Sequence, residues 1–303
     1  MTVTDHNAWV RASGSLATGD WSAVIDASIA GWSHTGLRVA ELAGGAVVLA
    51  AEREERMVIP LHGDVSVEWE LGAESGSFAL AGRASVFHGP ADSASFPPGT
   101  RLTLSGSGRV AVASAPVVAS DLRPTVLRAD AVSVELRGAG TSSRQVHGFG
   151  MPGGLPAQRL LVCEVITPAG NWSSYPAHKH DTAVPGVEAE LEEIYYFEAA
   201  PTRGAEAGPE ADPFGLFATS GSAAGDIDTT VAVRTGDVAL VPYGYHGPAV
   251  AAPGYDLYYL NVMAGAGERE WLATDDPHHA WIRASWVGQH IDPRLPFEQP
   301  REA

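Results

Sequence analysis

Two histidines separated by one residue, His178 and His180, are the clearest candidates for chemistry in the sequence. In a β-strand, residues i and i+2 point to the same face, so both imidazoles can reach one metal ion. Lys179 between them then points to the opposite face. Histidine pairs at this spacing also occur at the polar ends of ordinary strands, so the pair needs support from other segments.

Two further segments carry groups that a metal ion could use. The first, ELEEIYYF at residues 190–197, begins with carboxylates and continues as an apolar strand. An acid at the start of such a strand is costly to bury unless it faces water or a cation. If Glu193 faces inward, Tyr195 and Phe197 do so too. The second segment, PYGYH, follows a strand with a Pro/Gly turn that delivers His246.

The order of these groups resembles the metal site of the cupin superfamily, whose motifs are G-x5-H-x-H-x3,4-E-x6-G and G-x5-P-x-G-x2-H-x3-N. The resemblance implies one divalent metal ion per chain, held by His178, His180, Glu193 and His246. This sequence departs from the motifs, because twelve residues separate His180 from the acid and P-x-G-x-H is one residue short. Glu192 therefore competes with Glu193. The resemblance favours Glu193, since the acid of the superfamily is typically followed by Ile or Val and then aromatic residues.

Longer segments resemble the 5-deoxy-glucuronate isomerase (IolB-type) family of cupins, over nearly the whole chain. They are WSSYPAHKHD, LEEIYY, PYGYH and DDPHHAWIRASW, with LAGRASVF and PPG in the first half. The resemblance implies a bicupin with one metal site, in its C-terminal barrel. It also implies conversion of 5-deoxy-D-glucuronate to 5-dehydro-2-deoxy-D-gluconate in myo-inositol catabolism. Three imidazoles and a carboxylate suit zinc or manganese, with iron or nickel as alternatives.

The implied aldose–ketose isomerisation requires removal of a proton next to a carbonyl. A metal ion can stabilise the resulting enediolate as a Lewis acid, and a base must move the proton. The candidate bases are a hydroxide on the metal, Glu192, Tyr175 and Tyr243. The substrate's carboxylate suits a bidentate arginine. The candidate substrate-binding residues are Lys179, Arg283 and Arg159. A purely structural role is an alternative for each of these side chains.

Two other functions use the same residues. One is a cupin dioxygenase with Fe(II) on the same ligands, and the other is a sugar-binding cupin without catalysis. Metal analysis combined with an oxygen-uptake assay separates the dioxygenase from the isomerase.

The elements that must position these groups are strands. Short runs rich in Val, Leu, Ile and aromatic residues alternate with Gly and Pro throughout the chain, and long helical patterns are absent. This pattern predicts an all-β sandwich or barrel. Alternation in Val65–Leu71 predicts a half-buried strand. With the cupin resemblance, we expect two jelly-roll-like domains, at residues 1–122 and 123–303, the second with a packed C-terminal tail.

The first half is predicted to lack the metal ligands. Its segment EERMVIPLHG, with Glu55, is similar to the one that contains Glu193, but no H-x-H precedes it. Its turn PPG is followed by Thr100-Arg-Leu, where a histidine would be required. We expect this half to pack against the catalytic barrel or a neighbouring subunit, so a homo-oligomer is compatible with the sequence.

Composition excludes several classes of partner. The 303 residues contain 19 Lys and Arg against 36 Asp and Glu, a formal net charge of −17, so nucleic acid and anionic membranes are not expected partners. Cys163 is the only cysteine, which excludes a disulfide within the chain. The N-terminus lacks the pattern of a signal peptide. We therefore expect a cytoplasmic protein that acts on a small uronate.

Overall fold

The computed structural model describes residues 8–298, so the N-terminal segment tested above for a signal peptide lies outside the described residues. The described chain is nearly all β, which confirms the predicted class. Within the same range, no helix has the length and apolarity needed to cross a membrane.

Within residues 8–298, nine strands belong to the first part of the chain, and fourteen follow. The first nine are β1 (Val10–Arg11), β2 (Ala23–Ile25), β3 (Gly36–Leu49), β4 (Glu54–His62), β5 (Val65–Leu71), β6 (Glu74–Leu80), β7 (Ser93–Phe96), β8 (Arg101–Pro116) and β9 (Thr125–Leu127). The next seven are β10 (Ser133–Arg137), β11 (Arg144–Gly148), β12 (Leu161–Thr167), β13 (Trp172–Ser173), β14 (His178–Lys179), β15 (Asp181–Val184) and β16 (Glu188–Glu190). The last seven are β17 (Glu192–Pro201), β18 (Gly215–Ser222), β19 (Gly225–Val233), β20 (Val238–Val241), β21 (Tyr245–Ala251), β22 (Tyr255–Ala264) and β23 (Thr274–Asp275). The helical elements are short 3-10 turns at Ala129–Ala131 and Gly140–Ser142 and helix α1 at Ile282–Ser285.

The first half is organised around strand β8, which contributes to two layers. Residues 101–106 of β8 pair with β5, and residues 109–116 pair with β4. A register shift in the β3–β8 ladder interrupts the pairing between Ala43 and Ala46, and such bulges bend a sheet. The predicted alternation in β5 is present, because Val65 and Val67 are buried while the residues after each are exposed. An apolar interior forms between the layers of this half.

The second half contains two larger sheets that face each other and a two-stranded sheet formed by β15 and β16. One has the order β1-β20-β17-β22-β12-β11-β10, and the other has the order β19-β18-β21-β14-β23. A second apolar interior lies between them. In β17, Tyr195 and Phe197 point into this interior, whereas Ile194 and Tyr196 point towards the first half of the chain. This is the alternation expected for a strand buried on both faces.

Two short strands cross between the halves. Strand β1, from the start of the chain, pairs with β20 of the second half. Strand β9, which follows residue 122, pairs with β7 of the first half. The halves therefore exchange edge strands on either side of the expected boundary, and the division at 122/123 stays a prediction.

Two buried carboxylates join the halves in a reciprocal manner. Glu192, at the start of β17, accepts backbone N–H bonds from Ser33, His34 and Thr35 of the first half at 2.7, 2.9 and 3.3 Å. Glu55, near the start of β4, accepts N–H bonds from residues 158, 159 and 160 of the second half at 2.7, 2.8 and 2.8 Å. Glu55 therefore corresponds to Glu192 in its contacts. The similarity of the two sequence segments had instead paired Glu55 with Glu193.

A buried ion pair crosses the same interface. Arg83 of the first half donates to both carboxylate oxygens of Glu164 on β12, at 2.5 and 2.6 Å, and both side chains are fully buried. His147 and Tyr258 contact the same carboxylate at 2.6 and 2.8 Å. Although burial opposes ionisation, Arg83 and His147 lower the pKa of Glu164 to about 2. The halves are therefore held by satisfied charges within an apolar interface.

Replacing Glu192 by glutamine should lower the free energy of unfolding by about 2 kcal/mol, because the amide weakens charge-assisted bonds and directs an NH₂ group at backbone donors. Glu55→Gln should have a similar effect. Urea denaturation, monitored by tryptophan fluorescence, measures the free energy of unfolding of the two variants. The matched control is Glu190→Gln, at an exposed position in the same segment, which should leave the curve unchanged. Equal stability of all four proteins would contradict the assigned role of these carboxylates.

Candidate metal centre

Three strands bring the candidate ligands together. His178 on β14 and His246 on β21 are cross-strand partners in an antiparallel ladder. Glu193 lies on β17 in the opposite sheet, and His180 immediately follows β14. Strand β21 requires a glycine directly after His246, because the φ of Gly247 is +94° and a Cβ there would lie 1.8 Å from the backbone oxygen of Ser174.

The carboxylate of Glu193 is the point on which two histidines converge. Nε2 of His180 and Nε2 of His246 lie 2.9 and 3.0 Å from the same oxygen, Oε2 of Glu193. All three side chains are buried, and their ligand atoms lie within 4.8 Å of one another. Atoms bound at right angles about 2.1 Å from one ion are about 3.0 Å apart, so this spacing suits a shared cation.

Backbone carbonyls orient the three imidazoles. Nδ1 of His178, His180 and His246 lies 3.3, 3.1 and 3.2 Å from the carbonyl oxygens of residues 176, 191 and 244. A carbonyl only accepts, so each Nδ1 carries the proton and donates it. Nε2 is then the atom left for a ligand bond, which is the usual arrangement around metal-binding histidines.

The electrostatics of the group also fit a cation. Burial opposes ionisation of Glu193, but contacts with His180 and His246 outweigh it and lower the pKa of the carboxyl below its ordinary value. Burial and the neighbouring His246 lower the pKa of His178 well below that of a free imidazole. Nε2 of His246 is buried and, although it lies 3.0 Å from Oε2 of Glu193, its geometry forms no hydrogen bond with any described residue. A divalent ion would use that lone pair and compensate the buried carboxylate.

His178 lies at the edge of the group. Its ring centroid is 4.6 Å from that of His246 and 6.3 Å from that of His180. Its ligand atom is not within the compact set formed by the other three residues. The fourth ligand position assigned to His178 therefore stays a prediction.

The group opens into a narrow chamber and a wider mouth. The chamber, about 40 Å³, is lined by polar groups that include Glu193, His178, Arg144 and Asn261. The mouth, about 440 Å³, shares His178, Arg137 and Arg144 with the chamber and is also lined by Asp275 and Arg283. A water needs about 10–15 Å³, so the chamber has room for an ion and one or two small ligand groups.

The three side chains proposed as bases lie away from the group. Glu192 points to the other face of β17, where it binds the first half of the chain. The hydroxyl of Tyr243 is 3.4 Å from a carbonyl oxygen at residue 226, at an exposed position. Tyr175 packs edge-on against Trp172, with ring centroids 5.4 Å apart. None of these three side chains lines the chamber or its mouth.

The candidate substrate-binding residues are mostly engaged elsewhere. Nζ of Lys179 lies 2.7 Å from carboxylates of both Asp181 and Glu188. Asp181 in turn accepts the backbone N–H of residue 244 at 2.9 Å, so the lone lysine supports the turn that carries His246. Arg159 donates to backbone carbonyls of residues 265 and 266. Arg283 lines the mouth, where it is paired with Asp275.

Sequence reasoning missed Arg144, Arg137 and Asn261, which the fold brings to the chamber or the mouth. Nδ2 of Asn261 is buried and has no partner among the described residues. These residues lie on β10, β11 and β22, far from the histidine motif in sequence. The available signal was weak: Arg144 is a charged residue within a buried strand, whose five residues are all buried.

Removal of one ligand should abolish stable metal binding. We expect His246→Ala and Glu193→Gln each to weaken binding by more than the roughly 10–100-fold typical of residues that only support ligands. Elemental analysis after dialysis against a fixed concentration of zinc or manganese measures the retained ion.

The adjacent carboxylate provides the control. Glu192→Gln should retain the ion, because its side chain lies on the other face of β17. Metal loss in Glu192→Gln with retention in Glu193→Gln would show that the register is assigned to the wrong residue.

Comparison with known proteins identifies the family of the chain. The family model described as KduI/IolB matches residues 9–282. The 5-deoxy-glucuronate isomerase of Listeria innocua is 37% identical over 257 residues, which cover 82% of this chain and 88% of that protein. The one of Geobacillus thermodenitrificans is 47% identical over 156 residues, 51% of this chain and 52% of that relative, so the match spans about half its length.

Solved structures show the same fold. An IolB-like protein from Salmonella typhimurium has a TM-score of 0.79 and 34% identity, covering 90% of this chain and 98% of that one. The oxalate decarboxylase of Lactobacillus farciminis, at 12% identity and a TM-score of 0.54, covers 83% of this chain and 82% of that one and shares the fold alone. The predicted cupin-like fold is confirmed, although the described strands form facing sheets and no closed barrel. The chain belongs to the KduI/IolB family.

Proposed function

We propose that the protein is a metal-dependent aldose–ketose isomerase that converts 5-deoxy-D-glucuronate to 5-dehydro-2-deoxy-D-gluconate. The observation that carries the proposal is the buried His180–Glu193–His246 group, whose Glu193 lines a chamber that leads to an arginine-lined opening. Relatives with the name 5-deoxy-glucuronate isomerase support the choice of reaction. Myo-inositol catabolism is the pathway that the sequence resemblance implies, and it is part of the proposal.

The reaction needs a proton to leave C2 and a proton to arrive at C1, while the proton of the C2 hydroxyl ends on the C1 oxygen. A divalent ion held by the histidines and Glu193 would act as a Lewis acid on the two oxygens. Zinc and manganese are our first choices, with iron and nickel as alternatives. The protein's own contribution is to hold the two carbons in the chamber, in a fixed orientation.

The remaining titratable groups of the chamber favour donation over abstraction of a proton. Burial raises the pKa of the Cys163 thiol to about 12. Burial, followed by the charge of Glu193, raises the pKa of Tyr195 well above its ordinary value. Both groups are therefore protonated at neutral pH and are unsuited to act as the base.

The size of the opening sets the orientation of the substrate. A six-carbon sugar acid does not fit a chamber of about 40 Å³, but its reactive end does. The rest of the molecule would occupy the mouth of about 440 Å³, beside Arg137, Arg144 and Arg283. An anionic substrate is favoured there because guanidinium groups bind carboxylates strongly.

We also propose a cytoplasmic location and a homo-oligomer, with a small uronate as the only partner and neither nucleic acid nor membrane involved. The acidic composition supports the exclusion of anionic polymers, since the formal net charge is −17.

Incubation of metal-loaded protein with 5-deoxy-D-glucuronate in D₂O tests the function. We expect loss of the aldehyde signal in NMR and one deuterium in the product. His246→Ala should lower kcat/KM about 1,000-fold, which corresponds to about 4 kcal/mol of transition-state stabilisation.

Glu190→Gln, at an exposed position, is the control and should retain full activity. Oxygen consumption with this or another substrate would favour an Fe(II) dioxygenase. An aldehyde signal that persists with every metal tested would contradict the isomerase.

A further inference from the structure

The mouth of the site contains more guanidinium groups than carboxylates. Arg137 lies 2.8 Å from Glu135, and Arg283 is paired with Asp275 through two nitrogens. Arg144 lies beside them and forms no salt bridge with any described carboxylate. The opening therefore lacks one negative charge, in a protein whose overall charge is strongly negative.

Arg144 is held in a specific position. Only 8% of the residue is exposed, and Nη1 donates to the carbonyl oxygen of Ser142 at 3.1 Å. Its guanidinium lies 5.7 Å from the ring centre of Trp286. A Cβ on Gly138 would lie 2.7 Å from Nη1 of Arg144, so the glycine makes room for the guanidinium. The remaining N–H donors of Arg144 have no hydrogen-bond acceptor among the described residues.

A buried cation without an anion is unfavourable for folding. Burial lowers the pKa of Arg144 to about 10, which still leaves the side chain charged at neutral pH. Buried charges in proteins are normally paired, so an unpaired guanidinium beside an opening is available to an anionic ligand. The cost is reduced here by Ser142 and the indole ring, but neither contact neutralises the charge.

We propose that Arg144 binds the carboxylate of the substrate and thereby selects sugar acids over neutral sugars. The inference rests on the proposed function and names the residue that recognises its substrate class. Arg144, like Arg137, lines both the chamber and the mouth, so one molecule can place its carboxylate on Arg144 while its other end lies beside Glu193 in the chamber. The bound carboxylate accepts hydrogen bonds from the N–H groups of Arg144 that have no acceptor in the described part of the chain, and its negative charge neutralises the guanidinium.

The other basic residues fit this role less well. Arg283 and Arg137 already have carboxylate partners. Lys179 is held by two carboxylates, and Arg159 by backbone carbonyls away from the opening. Among the described basic residues that line the opening, only Arg144 is both buried and without an acid.

Steady-state kinetics of Arg144→Gln with two substrates test the inference. The substrates are 5-deoxy-D-glucuronate and 5-deoxy-D-glucose, which carries CH₂OH in place of the carboxylate. We expect KM for the acid to rise about 100-fold, as for the loss of a buried charge-assisted pair, with kcat less affected. Turnover of the neutral sugar should be unchanged, so that the preference of the enzyme for the acid disappears.

Stability provides a readout that separates recognition from a structural role. Removal of an unpaired buried charge should leave the melting temperature of Arg144→Gln equal to or above that of the wild type. D-Glucuronate should raise the melting temperature of the metal-loaded wild type but not that of the variant. Arg144→Lys should restore part of the affinity for the acid and part of the rise in melting temperature, because lysine supplies the charge without the bidentate geometry of arginine.

Two variants complete the experiment. Arg234→Gln, at an exposed ion pair remote from the opening, is the neutral control. Arg283→Gln tests the competing arginine. The inference is overturned if Arg144→Gln keeps the preference for the acid, or if only Arg283→Gln loses it. If the wild type converts neither compound, the proposed function fails, and the D-glucuronate melting experiment still decides the role of Arg144.

Discussion

The opposite orientation of adjacent side chains in strand β17 is the constraint on which the site depends. Glu192 and Glu193 are neighbours in sequence, and both are buried, but on different faces of the sheet. Glu192 accepts hydrogen bonds from backbone N–H groups of the first half, while the carboxylate of Glu193 contacts the imidazoles of His180 and His246. A slip of one residue would exchange these environments, so the bonds that anchor Glu192 also hold Glu193 in register.

The two halves use the same strand position in different ways. In β4, Glu55 points to the interface as Glu192 does in β17, and the following residue, Arg56, points into the interior as Glu193 does. Arg56 is 2% exposed and donates to carbonyl oxygens at residues 50 and 100. Arg56 of the first half thus occupies the strand position that corresponds to Glu193, the candidate metal ligand of the second half.

Sequence patterns predicted the parts of the site that depend on local geometry. Side chains two residues apart in a strand share a face, and this local property applies to His178 and His180. It also places Glu193, Tyr195 and Phe197 on one face of their strand. The choice between Glu192 and Glu193 could not be made from residues alone, since it depends on which face meets the other half. Composition and strand propensity likewise predicted the fold class but not the exchange of β1 and β9, which is decided by tertiary pairing.

The charged residues around the opening illustrate the limit of sequence reasoning more clearly. Arg283, Arg159 and Arg144 are chemically identical, and only the acid that each one meets in the fold distinguishes them. Two of the three are satisfied by the protein itself. An arginine that stabilises the fold needs an internal partner, whereas one that recognises an acid has to lack one until the ligand arrives. The same buried, unpartnered state that would be a defect in a structural residue is therefore the physical requirement for selectivity at this position.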